Sequence, residues 1–192
     1  MLARFAVGSP LLAEPKMHPI IYDVAVSIDG FISGPSEDIS KFPHDGPVVD
    51  DYRARLAEYA VAIMGKCTYE FGYRFGLKPG TNPYQHMRTI VFSSSIELPE
   101  NCEVEVRRKA DQLLLRDIKR SSDGPIYFCG GGKFAGALLA MGLIDLVRLK
   151  RAPILLGGGV PLFEGGRDPG LRHLKTKNYQ DGYVYQEYET AS

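Results

Sequence analysis

The chain has 192 residues, with 23 basic and 23 acidic side chains and a formal net charge of zero. At roughly 150 residues per domain, this length predicts a single compact domain. Hydrophobic residues at 44% and charged residues at 24% give an ordinary globular balance, which excludes a disordered chain, a collagen and a disulfide-stapled miniprotein. Zero net charge supplies no basic field to gather phosphates, which argues against nucleic acid as the main partner.

Cys67, Cys102 and Cys129 contain no Cys-x-x-Cys pair, and the four histidines lack the four-residue helical spacing of a metal pair; no metal site is expected. Unpaired thiols suit a reducing, cytoplasmic compartment. Residues 1–19 include an apolar stretch, but Gly8 and Pro10 interrupt it and Arg4 alone is a poor cationic start for a secretory signal. They read as a frayed leader, with the domain proper starting near Met17 and occupying residues 20–192. No run reaches the roughly 18 apolar residues that span a bilayer, so no membrane partner is expected.

Ile20 to Ile28 reads as a strand, with Tyr22, Val24, Val26 and Ile28 on one face and Asp23, Ala25 and Ser27 on the other. The small residues of the second face leave room for a ligand. Asp29-Gly30 turns the chain, and a polar loop of functional length runs to Pro47. A helix from about Val48 to Tyr59 and a strand from Val61 to Met64 follow. Lys66 to Phe71 starts another helix, and residues 72–84, rich in glycine and proline, read as loop. Thr89 to Phe92 is a strand with Ser93, Ser94 and Ser95 as its polar exit, and Glu103 to Val106 is a short strand. Asp111 to Arg120 is helical.

Ile126 to Cys129 is an apolar strand running into Gly130-Gly131-Gly132, after which Phe134, Ala137, Leu138 and Met141 mark a helix, with Gly142 as its cap. Leu146 to Leu149 is the next strand, continued by Pro153 to Leu156. Leu171 to Tyr179 and Tyr183 to Tyr188 form an antiparallel hairpin around Asp181-Gly182. Strands alternating with helices and then a strand pair predict an α/β fold whose sheet is mostly parallel with an antiparallel edge.

Three segments carry chemistry, each at the exit of an apolar strand, where ligands of open α/β sheets bind. The triple glycine opens a helix whose amides and dipole favour a phosphate; the other reading is a turn that packs helix on strand. Gly65 and Lys66, with Thr68, place a cation and a hydroxyl at a second junction, and Ser93 to Ser95 offer further hydroxyl donors. The spacing from Gly131 to Gly136 fits a P-loop, but Ala137-Leu138 stands where Lys and Ser or Thr are needed, which excludes a Walker-type nucleotide triphosphatase. The joint reading is a dinucleotide laid across the strand ends.

Ser27-Ile28-Asp29-Gly30-Phe31-Ile32, Met64 to Glu70, the triple glycine, Gly142-Leu143-Ile144-Asp145, and Pro153-Ile154-Leu155-Leu156-Gly157-Gly158-Gly159-Val160-Pro161-Leu162-Phe163 occur in that order. In this the chain resembles the dihydrofolate reductase-like proteins of the riboflavin-biosynthesis reductase C-terminal domain family. The resemblance implies a dihydrofolate reductase-like three-layer sandwich, NADPH as cofactor, hydride transfer to a pterin-, pyrimidine- or flavin-like heterocycle, and a homodimer. It puts Ala25 and Ile32 beside the nicotinamide. Gly65, Lys66, Thr68 and the three serines surround the adenosine phosphates, and Gly130, Gly131, Gly132, Lys133 and Phe134 cradle the pyrophosphate.

Lys66 stands where the family usually has Arg, which replaces a bidentate grip on the 2′-phosphate with a point charge. Cys129 stands where the pyrimidine reductases of riboflavin synthesis typically have Glu, which points to a different acceptor from their phosphoribosylamino-uracil. Asp29, Asp50, Asp51 and Tyr52 are candidates for handling the proton, and a carboxylate on the first long helix suits that role. The alternatives are the riboflavin-pathway reductase itself and a non-catalytic nucleotide-binding regulatory domain.

Overall fold

A computed structural model of the protein describes residues 17–191; most of the expected leader lies outside them, although His18 and Pro19 already bond to the fold through Lys119 and Ile126. The central sheet has eight strands: β1 (Ile20–Val26), β3 (Val61–Gly65), β4 (Arg88–Phe92), β5 (Glu105–Arg107), β6 (Ile126–Phe128), β7 (Leu146–Arg151), β9 (Leu171–Asn178) and β10 (Val184–Thr190). They lie in the order β5-β4-β3-β6-β1-β7-β10-β9. The first six in that order pair in parallel, and β10 runs antiparallel to both β7 and β9, as alternating helices followed by a hairpin predict. β2 (Phe31–Ser33) and β8 (Val160–Pro161) form a separate two-stranded ribbon.

Period-two alternation distributes the core over both faces. Ile20, Tyr22, Ile63, Ile90, Phe92, Ile126 and Phe128 point to one side, where α3 (Gln112–Ser121) and α4 (Gly132–Ala140) cover them with Leu115, Ile118, Ala135 and Leu138. Ile21, Ala62, Met64, Val91 and Tyr127 point to the other, toward α1 (Pro47–Leu56) and α2 (Lys66–Phe71), which contribute Tyr52, Leu56 and Tyr69.

Several boundaries differ from the sequence reading for local reasons. β1 stops at Val26 because Ser27 turns back on itself: its amide donates to the Phe31 carbonyl and its hydroxyl accepts from the Phe31 amide. α1 starts at Pro47, as a proline at the first helical position allows, and ends at Leu56, so that Tyr59 packs in the core. Pro153 to Leu156 does not extend β7. The last ladder bond there runs from Ala152 to Val26, beyond which β1 offers no partner, and the chain loops out with Ile154 accepting from Ile28. That loop returns through Gly159, whose φ is +125° and whose missing Cβ would fall 2.0 Å from the Ser33 carbonyl oxygen; only glycine fits this crossing beneath the β2–β8 ribbon. Gly142 caps α4 as expected, at φ +66°.

Candidate active site

The sheet order places the exits of β4, β3 and β6 side by side, followed by β1 and β7. The segments expected to hold a dinucleotide therefore adjoin one another. Phe134 of α4 lies against Gly65, and a Cβ on Gly131 would meet only the Thr68 hydroxyl, at 3.9 Å. No side chain caps the first turn of α4 or of α2.

The three glycines have different tasks. Cβ atoms at Gly130 and Gly132 would fall 2.0 Å from the Phe128 ring and 2.5 Å from the Pro161 carbonyl oxygen, so these two are required for internal packing. Gly136 likewise admits the Glu164 backbone, whose carbonyl oxygen a Cβ would approach to 2.1 Å. Tyr22 holds the turn from beneath, with its hydroxyl 3.2 Å from the Gly130 oxygen and 3.1 Å from the Leu162 oxygen. Both readings of the triple glycine thus describe real features, and Gly131 alone faces open space.

Lys66 reaches Glu70 at 3.7 Å, a half-exposed pair, and Lys133 is exposed. Ser93 is engaged as a turn residue, its oxygen accepting from the Ser95 and Ile96 amides, while Ser94 and Ser95 are exposed. Ala25 and Ile32 are half-buried. A dinucleotide fits the uncapped α4 amides and the clear approach over Gly131, with Lys66 and Thr68 alongside.

Next to this edge, between β1, β7 and α1, lies a cleft of about 490 Å³. Val24, Ala25, Val48, Val49 and Leu56 give it apolar walls; Phe42, Pro43 and His44 of the long loop cover it, and Tyr52, Tyr84 and Tyr127 line its inner end. The Tyr52 and Tyr127 hydroxyls are 2.7 Å apart. Burial pushes both above the ordinary phenol range. Cys129 does not line the cleft. Its thiol accepts from the Tyr84 hydroxyl at 3.3 Å, behind the tyrosines, and burial pushes it up.

Of the four proton-handling candidates, the structure brings Tyr52 alone to this cleft. Asp29 is taken up in holding a loop, its carboxylate accepting from the Leu156 and Gly157 amides. The Ser27 hydroxyl and these amides hold it down to about 2. Asp50 is exposed and paired with Arg53 at 3.3 Å. Asp51 binds Lys177 and the Tyr179 hydroxyl, because the turn of α1 that faces the sheet presents Val48, Val49 and Tyr52 instead.

The charges in and beside the cleft lie on strand faces; the sequence reading left room for a ligand on that of β1 alone and assigned no charge a role there. Along β1, β7 and β10, the face toward α1 carries Asp23, Arg148, Lys150, Tyr185 and Glu187, with Lys150 opposite Ala25 on one side and Tyr185 on the other. The Asp23 carboxylate has no side-chain exposure and accepts from Lys150 at 2.7 Å, Arg55 Nε at 2.8 Å and the Tyr59 hydroxyl at 3.2 Å. Burial alone would raise its pKa, but Lys150 and Arg55 hold it below the usual carboxylate value. Arg148 continues the network to Glu187 at 3.0 Å and the Tyr59 hydroxyl at 3.1 Å. The available signal was the spacing of Arg148 and Lys150, two apart in a strand opposite a strand-borne acid.

The model of the RibD C-terminal domain matches residues 18–185. The chain belongs to the RibD C-terminal domain family. The Bacillus subtilis (strain 168) protein YyaP, described as uncharacterized, is 23% identical over 184 residues, covering 90% of this chain and 95% of its own. A Shewanella sp. PV-4 protein, described as a candidate riboflavin biosynthesis protein, superposes with a TM-score of 0.76 at 25% identity, covering 92% of this chain and 100% of its own. Dihydrofolate reductase from Enterococcus faecalis, complexed with NADP(H) and RAB-propyl, gives a TM-score of 0.66 at 14% identity over 91% and 97% of the two chains. This RibD C-terminal domain thus has the dihydrofolate reductase-like fold. None of its described helices is long and apolar enough to cross a membrane.

Proposed function

We propose that this RibD C-terminal domain is an NADPH-dependent reductase that delivers a hydride to a small planar heterocycle. The observation that carries the reading is the juxtaposition of a side-chain-free approach at Gly131 with an aromatic cleft on the neighbouring strands. Gly131, Lys133 and the first amides of α4 would hold the pyrophosphate. Lys66 and Thr68, with Ser94 and Ser95, would meet the adenosine phosphates, and Ala25 and Ile32 would border the nicotinamide. When bound, the cofactor supplies the hydride; the chain orients the acceptor and excludes water. Tyr52, Tyr84 and Tyr127 offer faces to stack a flat ring, and Phe42 and Pro43 shield it from solvent. Cys129 stands behind this wall, so its contrast with the glutamate of riboflavin-pathway reductases acts through Tyr84.

Calorimetric titration with NADPH tests the cofactor half of the reading. Wild-type protein should bind, whereas a folded Gly131→Val variant should lose binding. Absorbance at 340 nm, followed with dihydrofolate, aminouracil and flavin acceptors, tests the other half: turnover that depends on one acceptor supports a reductase. Tight binding of NADPH with no turnover on any of them favours a regulatory nucleotide-binding domain.

A further inference from the structure

A cleft for a flat heterocycle could carry either charge, and here its residues decide the sign. Among the described residues lining it, Asp23 is the one carboxylate, and it is committed to Arg55, Tyr59 and Lys150. Two cations thus face one anion, while Arg148 and Glu187 balance each other farther along the strands. Arg53 adds a rim charge already paired with Asp50.

Lys150 has the spare capacity. Its side chain is 9% exposed and lines the cleft, and Nζ donates to Asp23 at 2.7 Å and lies 3.5 Å from the centre of the Tyr52 ring. Burial pulls its pKa below the ordinary lysine value, while the adjoining Asp23 carboxylate favours the charged form. As an ammonium it has three N–H groups, and Asp23 is its sole hydrogen-bond partner among the described residues. In a poorly solvated slot, a positive group of this kind acts far more strongly than in water.

We infer that Lys150 sets the charge class of the molecule this cleft accepts: a planar ring presenting an anionic or unprotonated acceptor edge is bound, and a ring that enters as a cation is rejected. The inference rests on the reading of the cleft as the heterocycle site.

The test titrates the whole 192-residue chain with two single-ring probes, orotate as a planar anion and 1-methylpyridinium as a planar cation. Wild-type protein should favour orotate by about tenfold or more, the effect of one charge-assisted hydrogen bond. Lys150→Met, which leaves Asp23 bonded to Arg55 and Tyr59, should lose that preference, and Lys150→Arg should keep it. A far-UV circular dichroism spectrum of Lys150→Met that matches wild type, measured in parallel, verifies an intact fold. Failure of wild-type protein to bind orotate, a wild-type preference for 1-methylpyridinium, or a preference that survives in Lys150→Met overturns the inference. If no variant, nor the wild type, binds NADPH while the orotate preference still follows Lys150, the reductase reading fails and the charge assignment stands.

Discussion

Glycine is required at positions 130 and 132 by the protein's own atoms and at 131 by none of them. Substitution should separate these roles. Gly130→Val and Gly132→Val force a branched side chain into the buried Phe128 ring and the Pro161 backbone, and should lower stability by about 1–3 kcal/mol or more, read as a fall in the urea midpoint. Gly131→Val should leave that midpoint nearly unchanged while abolishing NADPH binding. Asp29 makes a different kind of prediction. Its carboxyl is held down to about 2 by Ser27 and the Gly157 and Leu156 amides, whereas an unfolded aspartate titrates at roughly 4. A lowered folded value means that its stabilising effect is complete above roughly pH 4 and disappears as pH falls through about 2. Urea midpoints of wild-type and Asp29→Asn protein should therefore differ at neutral pH and converge toward pH 2.

Elements built on local pattern were legible in the sequence. Asp111 is an N-cap in the structure, its side chain accepting from the Leu114 amide at 3.0 Å; Asp111→Ala should cost about 1 kcal/mol, measurable by equilibrium unfolding. The hairpin of β9 and β10 and the glycine-led start of α4 were equally readable. What escaped were features made by distant pairing. β2 and β8 span three and two residues and exist because they meet each other. The run Pro153 to Leu156 is as apolar as a strand, yet β1 has ended beside it. The acids at 50 and 51 have a helix-start spacing that favours function and solvent alike, and only the orientation of α1 turns Tyr52 inward. Leu-Val-Arg-Leu-Lys-Arg in β7 has the alternation of a solvated edge strand. Its Val147 and Lys150 are nonetheless buried, and the strand lies between β1 and β10 with α1 over it, none of which is near it in sequence.

At the scale of the molecule, the buried charges of β1, α1 and β7 act as one unit. Asp23→Ala would leave Arg55 and Lys150 facing each other without their shared carboxylate, and breaking a buried pair in this way typically costs about 3–5 kcal/mol. Denaturant unfolding should show a loss of that size, larger than for Asp50→Ala, whose partner Arg53 is in solvent. The position of β7 between β1 and β10 also has a temporal meaning. As the chain is synthesised, the acid of the cleft comes with the first strand and its lysine with the seventh, and the flanking strand carrying Tyr185 and Glu187 comes last. Contacts so far apart in the chain favour slow folding, and until β10 docks, β7 is an open edge and Arg148 lacks its Glu187 partner. The strand that closes the sheet beside Lys150 is therefore the last to arrive, and the buried charge network of β1, β7 and β10 is complete only once the tail has folded back.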